Sequence, residues 1–171
     1  DALYFGTLGQ RGESAREGIH RALAIARERG IPRILDINLR PPFFDDALIR
    51  DSVAACSVLK LSDEELDRVA EACAIPSSES ELERIKMIRE KFGLHWVVMT
   101  QGAEGATLVL ERGSARQPGV PAKVVDTVGA GDSFTAALTI GLLEQNDPSD
   151  ILETACQLAA EVCSHAGAVP Q

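Results

Sequence analysis

Nine consecutive residues concentrate the chemistry in this sequence: Asp126-Thr127-Val128-Gly129-Ala130-Gly131-Asp132-Ser133-Phe134. The apolar run VPAKVVD before them predicts a strand ending at Val125, and the run AALTIGLLE after them predicts a helix. Between the two, Gly129, Ala130 and Gly131 are small enough for the backbone to turn sharply and bring its N–H groups close to a ligand. A helix that starts there adds the positive end of its dipole. The combination predicts an anion hole suited to a phosphate in transfer. Asp132 falls in the first helical turn beside it, where a carboxylate can accept the proton of an attacking hydroxyl. A purely structural reading competes, because aspartate and serine are common at helix starts and glycine is common in turns.

Other candidates are spread along the chain. Asp36, Asn38 and Arg40 follow a predicted strand at 32–37, at the strand end where α/β sheets bind ligands. Arg40 suits a phosphate or an acidic sugar, which a guanidinium grips bidentately, or is a surface loop arginine. Ser62 and Glu65 have capping-box spacing. Lys60 either lines a phosphate path or lays its stem along the surface. His20 falls on an amphipathic helix and His95 within a strand, both without partners, so neither is expected to be catalytic.

The elements that must position these residues alternate. Strands are predicted at 2–7, 32–37, 57–61, 94–100, 106–111 and 120–126, with weaker β structure after the turn ERGSAR. Helices are predicted from Ser14 to Gly30, near 45–55, from the Ser62 cap, over 79–92, from 130 to 144, and over 151–165. Alternation of this kind implies right-handed crossovers and a largely parallel sheet with helices on both faces. No repeat, low-complexity tract or linker interrupts residues 1–171, which read as a single α/β domain.

Composition bounds the function. The 171 residues, 45% hydrophobic and 25% charged, suffice for one domain with a real core. No apolar run approaches the roughly 20 residues of a membrane span. With 26 acidic against 17 basic residues, the net charge is −9. That balance argues against nucleic acid or an anionic membrane as partner, but leaves room for a small phosphorylated ligand. Cys56, Cys73, Cys156 and Cys163 show neither CxxC nor zinc spacing and read as packed free thiols of a cytoplasmic protein.

The motif DTVGAGDSF resembles the second signature of the ribokinase-like (PfkB-type) sugar kinases. Further stretches match in the same order: DINLRPPFF at 36–44, LKLSDEEL at 59–66, VVMTQGAEG at 97–105 and CSHAGAVP at 163–170. The first of these resembles fructokinase-like members. The resemblance implies a ribokinase-like fold and ATP-dependent phosphorylation of a sugar, with ATP and Mg2+ as cofactors. It implies that Asp132 is the base acting on the sugar hydroxyl, and that Gly129, Ala130 and Gly131 form the anion hole. Asp126 and Thr127 would lie close to the phosphates, Thr100, Gly102 and Gly105 would touch the nucleotide, and Lys60 would line the phosphate path. Asn38 and Arg40 would face the substrate, and Glu65 would organise magnesium through water.

The departures from the family pattern are specific. Ser62 stands where the family usually has asparagine, and Cys156 where relatives often carry asparagine near the adenine. His165 lies in the adenine-side segment, within reach of a nucleotide. Family members also carry an N-terminal half with a Gly-Gly sugar signature and a small β lid, which family dimers commonly use. The chain therefore reads as a C-terminal half, and a homo-oligomer is compatible with it. A 2-keto-3-deoxygluconate kinase is the rival within the class, since Arg40 also fits a carboxylate. A non-catalytic nucleotide-binding fragment is the rival outside it.

Overall fold

Six strands hydrogen-bond in chain order in the computed structural model, which describes residues 1–168: β1 Leu3–Gly6, β2 Arg33–Asp36, β3 Val58–Ser62, β4 Trp96–Thr100, β5 Ala106–Val109 and β6 Ser114–Gln117. β1 to β4 are parallel, in the registers Phe5↔Leu35, Leu35↔Leu59 and Leu59↔Val97. Parallel neighbours need long crossovers, and helices supply them: α1 Glu13–Glu28, α2 Asp46–Ala55, and then α3 Asp63–Ala72 with α4 Glu81–Phe92. β5 and β6 follow through the turns 101–105 and 110–113, too short for a parallel crossover. Two further helices, α5 Ala130–Glu144 and α6 Pro148–Cys163, complete the described chain. The last four residues of the stretch resembling the family's adenine loop include Val169 and Pro170, which lie outside the described residues.

Contacts divide the chain into two units. The first comprises residues 1–100 with 109–113, the second residues 101–108 with those from 114 onward. In the first unit the strand residues alternate between two faces. Phe5, Leu35, Ile37, Leu59, Leu61, Val97 and Met99 share one face and one apolar cluster with Leu23 of α1, Ile49 and Val53 of α2, Leu66 and Val69 of α3, and Ile85 and Ile88 of α4. The opposite parity, Ile34, Val58, Trp96 and Val98, is buried too. Both faces of these strands are therefore covered, as a parallel sheet requires. Each such aliphatic side chain contributes roughly 1.5–3 kcal/mol. In the second unit α5 and α6 pack closely; a Cβ on Gly141 would lie 2.6 Å from Cγ1 of Ile151.

Local signals explain most boundaries. Asp45 caps α2 by accepting the Leu48 amide at 2.7 Å, and Ser80 caps α4 by accepting that of Glu83. Gly93 closes α4 in the left-handed conformation (φ 61°) that glycine adopts without a steric cost. Two expectations need correction. α1 begins at Glu13 with Gly12 as its cap, so Ser14 lies inside the first turn. Residues 120–126 form no strand: Val124 and Val125 are 63% and 57% exposed, and the Val125 amide donates to the Cys163 carbonyl at 2.8 Å. The run VPAKVVD has strand composition, but it is tied to the end of α6 instead of to a sheet neighbour.

The four cysteines are free, with Cys56, Cys73 and Cys156 buried. Burial pushes the Cys56 thiol up to about 12 and Cys73 up to about 11, as expected of packed thiols. No described helix is long and apolar enough to cross a membrane.

Candidate active site

In the second unit the site is built on the N-terminus of α5. Gly129 precedes the helix at φ 86°, a left-handed conformation suited to glycine, with its backbone against Ala168. A Cβ there would stand 2.8 Å from the Ala168 Cα and carbonyl oxygen, so the turn has no room for a side chain. Ser133 is the first residue whose amide finds a helical acceptor, Gly129 O at 2.8 Å, and Ala130 donates back to Thr127 O at 3.3 Å. Helix geometry leaves the amides of Gly131 and Asp132 without intrahelical acceptors. The Asp132 side chain, in the same turn, is exposed. Phe134, buried one residue beyond Ser133, anchors the turn to the interior. Exposed N–H groups, a dipole end and a carboxylate thus share one helical turn, and that arrangement can bind an anion and take up a proton beside it.

Asp126 organises the loop leading in. Its Oδ1 accepts the Val128 amide and its Oδ2 the Gly167 amide, both at 3.0 Å. These bonds hold its carboxyl below the usual carboxylate range. Asp126 thereby joins the 126–129 turn to the segment after α6, a connection across 41 positions that no sequence pattern announces. Thr127 is exposed on that turn, its carbonyl taken by Ala130. His165 is engaged at its own helix end, with Nδ1 2.9 Å from the Glu161 carbonyl and 3.0 Å from Ser164 Oγ.

Gly102 and Gly105 lie in the turn after β4, at φ 51° and 97°. The Gln101 amide closes the turn on Gly105 O at 2.8 Å. A side chain on Gly105 would overlap the Gln117 carbonyl, and one on Gly119 that of Ala103. Both glycines are needed for the close approach of these two backbone segments.

In the first unit the remaining candidates gather at the C-terminal ends of β2, β3 and β4. Lys60 is neither a surface lysine nor directed outward. Its Nζ lies 3.2 and 3.1 Å from the two oxygens of Asp36, its register partner on β2, and the two side chains are 8% and 3% exposed. Pairing across parallel strands leaves no local signature, so the spacing of Asp36 and Lys60 along the chain does not announce it. Thr100, half-buried at the end of β4, donates to Leu61 O at 3.4 Å. Asn38 adopts φ 39°, unusual for a residue with a side chain. Arg40 is exposed, with its guanidinium 3.3 Å from the Leu39 carbonyl.

Glu65 is the most heavily engaged candidate. One oxygen accepts the Leu39 amide at 2.7 Å, and the other accepts the Ser62 amide and hydroxyl at 2.9 and 3.0 Å. The carboxylate half of the capping box is therefore real, and it extends to a residue 26 positions away. A carboxylate offers about four acceptor positions, so these bonds leave Glu65 suited to a water on a magnesium ion and poorly suited to direct ligation. Among the described residues no group of three or more His, Cys, Asp or Glu is placed to hold a metal ion.

Comparison with known proteins adds the family context. The sequence model for a pfkB family carbohydrate kinase matches residues 1–171. The aminoimidazole riboside kinase of Salmonella typhimurium is 30% identical over 149 residues, covering 84% of this chain and 44% of the relative. A fructokinase of Klebsiella pneumoniae is 29% identical over 167 residues, covering 94% and 52%. Among solved structures, a fructokinase double mutant from Vibrio cholerae, bound to fructose, ADP and a potassium ion, is similar at a TM-score of 0.84 and 25% identity, covering 98% of this chain and 56% of that one. The aminoimidazole riboside kinase from Salmonella enterica, complexed with aminoimidazole riboside and an ATP analog, gives 0.80 and 27%, covering 96% and 57%. The chain spans about half the length of the curated relatives it matches.

Proposed function

Because the chain belongs to the pfkB family of carbohydrate kinases, we propose that residues 1–171 act as one α/β domain, the nucleotide-side portion of an ATP-dependent sugar kinase of fructokinase type. The observation that carries this reading is the start of α5: a left-handed Gly129, amides at Gly131 and Asp132 without helical acceptors, and an exposed Asp132 beside them. Asp132 takes the proton of the acceptor's primary hydroxyl as its oxygen attacks the terminal phosphorus of ATP, and ADP leaves. The backbone of the 129–131 turn holds the transferred phosphoryl group, with the Ala130 amide turned to Thr127 O and that of Gly131 without a helical acceptor, and Asp126 and Thr127 border it. Asp126 acts here chiefly by fixing the loop. Thr100, Gly102 and Gly105 border the nucleotide, and Asn38 and Arg40 face the acceptor. Lys60, paired with Asp36, lines the phosphate path. Glu65 would hold a magnesium ion through water, and that ion would supply charge screening of the phosphate oxygens.

Two other readings have their own support. An acidic sugar such as 2-keto-3-deoxygluconate is favoured by the exposed guanidinium of Arg40. Nucleotide binding without turnover is favoured by the chain's span of about half its relatives' length. The test is acceptor-dependent ADP release from Mg-ATP by this chain, with fructose, aminoimidazole riboside and 2-keto-3-deoxygluconate. Asp132→Asn is expected to lower turnover about 10²–10⁴-fold, the usual contribution of a general base. Turnover equal in the variant and the parent removes Asp132 from its role. Nucleotide binding with no turnover in either selects the non-catalytic reading.

A further inference from the structure

The loop between β2 and α2 is held against α3 at two points, on either side of Arg40. Before Arg40, the Leu39 amide donates to Glu65 of α3. After it, Arg68 of α3 stands with its guanidinium 5.8 Å from the centre of the Phe44 ring and pairs through Nη2 with Asp46, at the start of α2. The same guanidinium reaches Glu71 through Nη1 at 3.1 Å. Glu65 and Arg68 are three residues apart and so lie on one face of α3. Hydrogen bonding to Asp46 is the main reason that Arg68 holds its proton more tightly than an ordinary arginine. The segment's other anchors are the Thr7 hydroxyl on Ile37 O at 2.7 Å, the Ile37 amide on Lys60 O, and the turn bond from Phe43 to Arg40. Phe44 also packs against the apolar core and Asp45 caps α2 on the Leu48 amide; Arg68 adds the polar tie from α3 to the Phe44 ring and Asp46.

We propose that Arg68 is a positioning residue: together with Glu65 it clamps the 38–46 loop onto α3 and so fixes where Arg40 stands for the acceptor. The proposal rests on the reading above, in which Asn38 and Arg40 face the acceptor. Arg68 is one-third exposed, and exposed ion pairs add little to stability. Its effect is geometric. A planar fork shared between a ring and a carboxylate restricts a loop more than a lysine could, because the ammonium is a single flexible point charge.

Two measurements on the 171-residue chain test this. The first is amide hydrogen exchange of the peptide spanning 38–46, which needs no activity. Arg68→Met is expected to speed exchange there by about tenfold, with β3 and β4 unchanged and Arg68→Lys intermediate. The second is a kinetic comparison: Arg68→Met is expected to raise the acceptor KM about tenfold while kcat and the ATP KM change by less than about twofold. Unaltered exchange overturns the clamp. Faster exchange with an unchanged acceptor KM overturns the positioning role. A parent chain without turnover removes the reaction and with it the positioning role, while the exchange result still decides the clamp.

Discussion

At the scale of single residues, the structure assigns side chains to partners that spacing alone does not name. Lys60 is the clearest case. Its ammonium and the Asp36 carboxylate face each other on neighbouring parallel strands, on the sheet face that otherwise carries Ile34, Val58 and Val98. Two charges taken out of water are favoured as a pair, and removing one deprives the other of its counter-charge. Lys60→Met is therefore expected to destabilise the chain by about 3–5 kcal/mol, and adding Asp36→Asn to recover more than half of that loss. Urea unfolding of the two variants checks this, and a double variant no more stable than the single one would contradict the pairing. The place of Asp132 in the first turn of α5 was legible at this scale because it depends on neighbours in the chain, the small residues and the helix start. Asp126 was legible only in part: its bond to Val128 is local, but its bond to Gly167 depends on where the end of α6 is placed.

At the scale of elements, the sequence pattern located most helices and strands to within a few residues. Expectation and structure coincide for α5 over 130–144, because an apolar run bounded by glycine and by polar Gln145-Asn146 leaves little choice. The run at 120–126 misled because β-branched composition measures compatibility with a pleated, half-buried surface. It does not guarantee a neighbouring strand. The turn at 101–105 shows the opposite situation. Its glycines read as family markers, and the packing shows what they permit: backbone against backbone at Gln117–Gly119. Gly119→Ala would drive a methyl group into the Ala103 carbonyl. A cost of about 1–3 kcal/mol is expected, read as a lowered thermal midpoint, together with a displaced 101–105 turn. An unchanged midpoint would mean that the two segments separate freely.

At the scale of the whole molecule, the candidate site has acidic groups but no ready-made metal cage among its described residues. Glu65, the residue expected to deal with magnesium, already accepts three hydrogen bonds. Magnesium should therefore bind with nucleotide rather than ahead of it. Chelation by EDTA is expected to leave the thermal midpoint unchanged, and Mg2+ to raise it only when ATP is present. Thermal scans with each addition separately decide this, and a fall on EDTA treatment alone would reveal a resident ion. The sequence by itself determined the alternating α/β order, the small-residue turn with its carboxylate, and the family resemblance, since all of these are written in short windows where neighbours along the chain are neighbours in space. Only the tertiary structure decided that Lys60 belongs to Asp36, that Glu65 and Arg68 grip a loop from another part of the chain, and that the segment before Asp126 hangs on α6. Those contacts join residues 22 or more positions apart, and which distant residues meet is settled by strand register and helix packing.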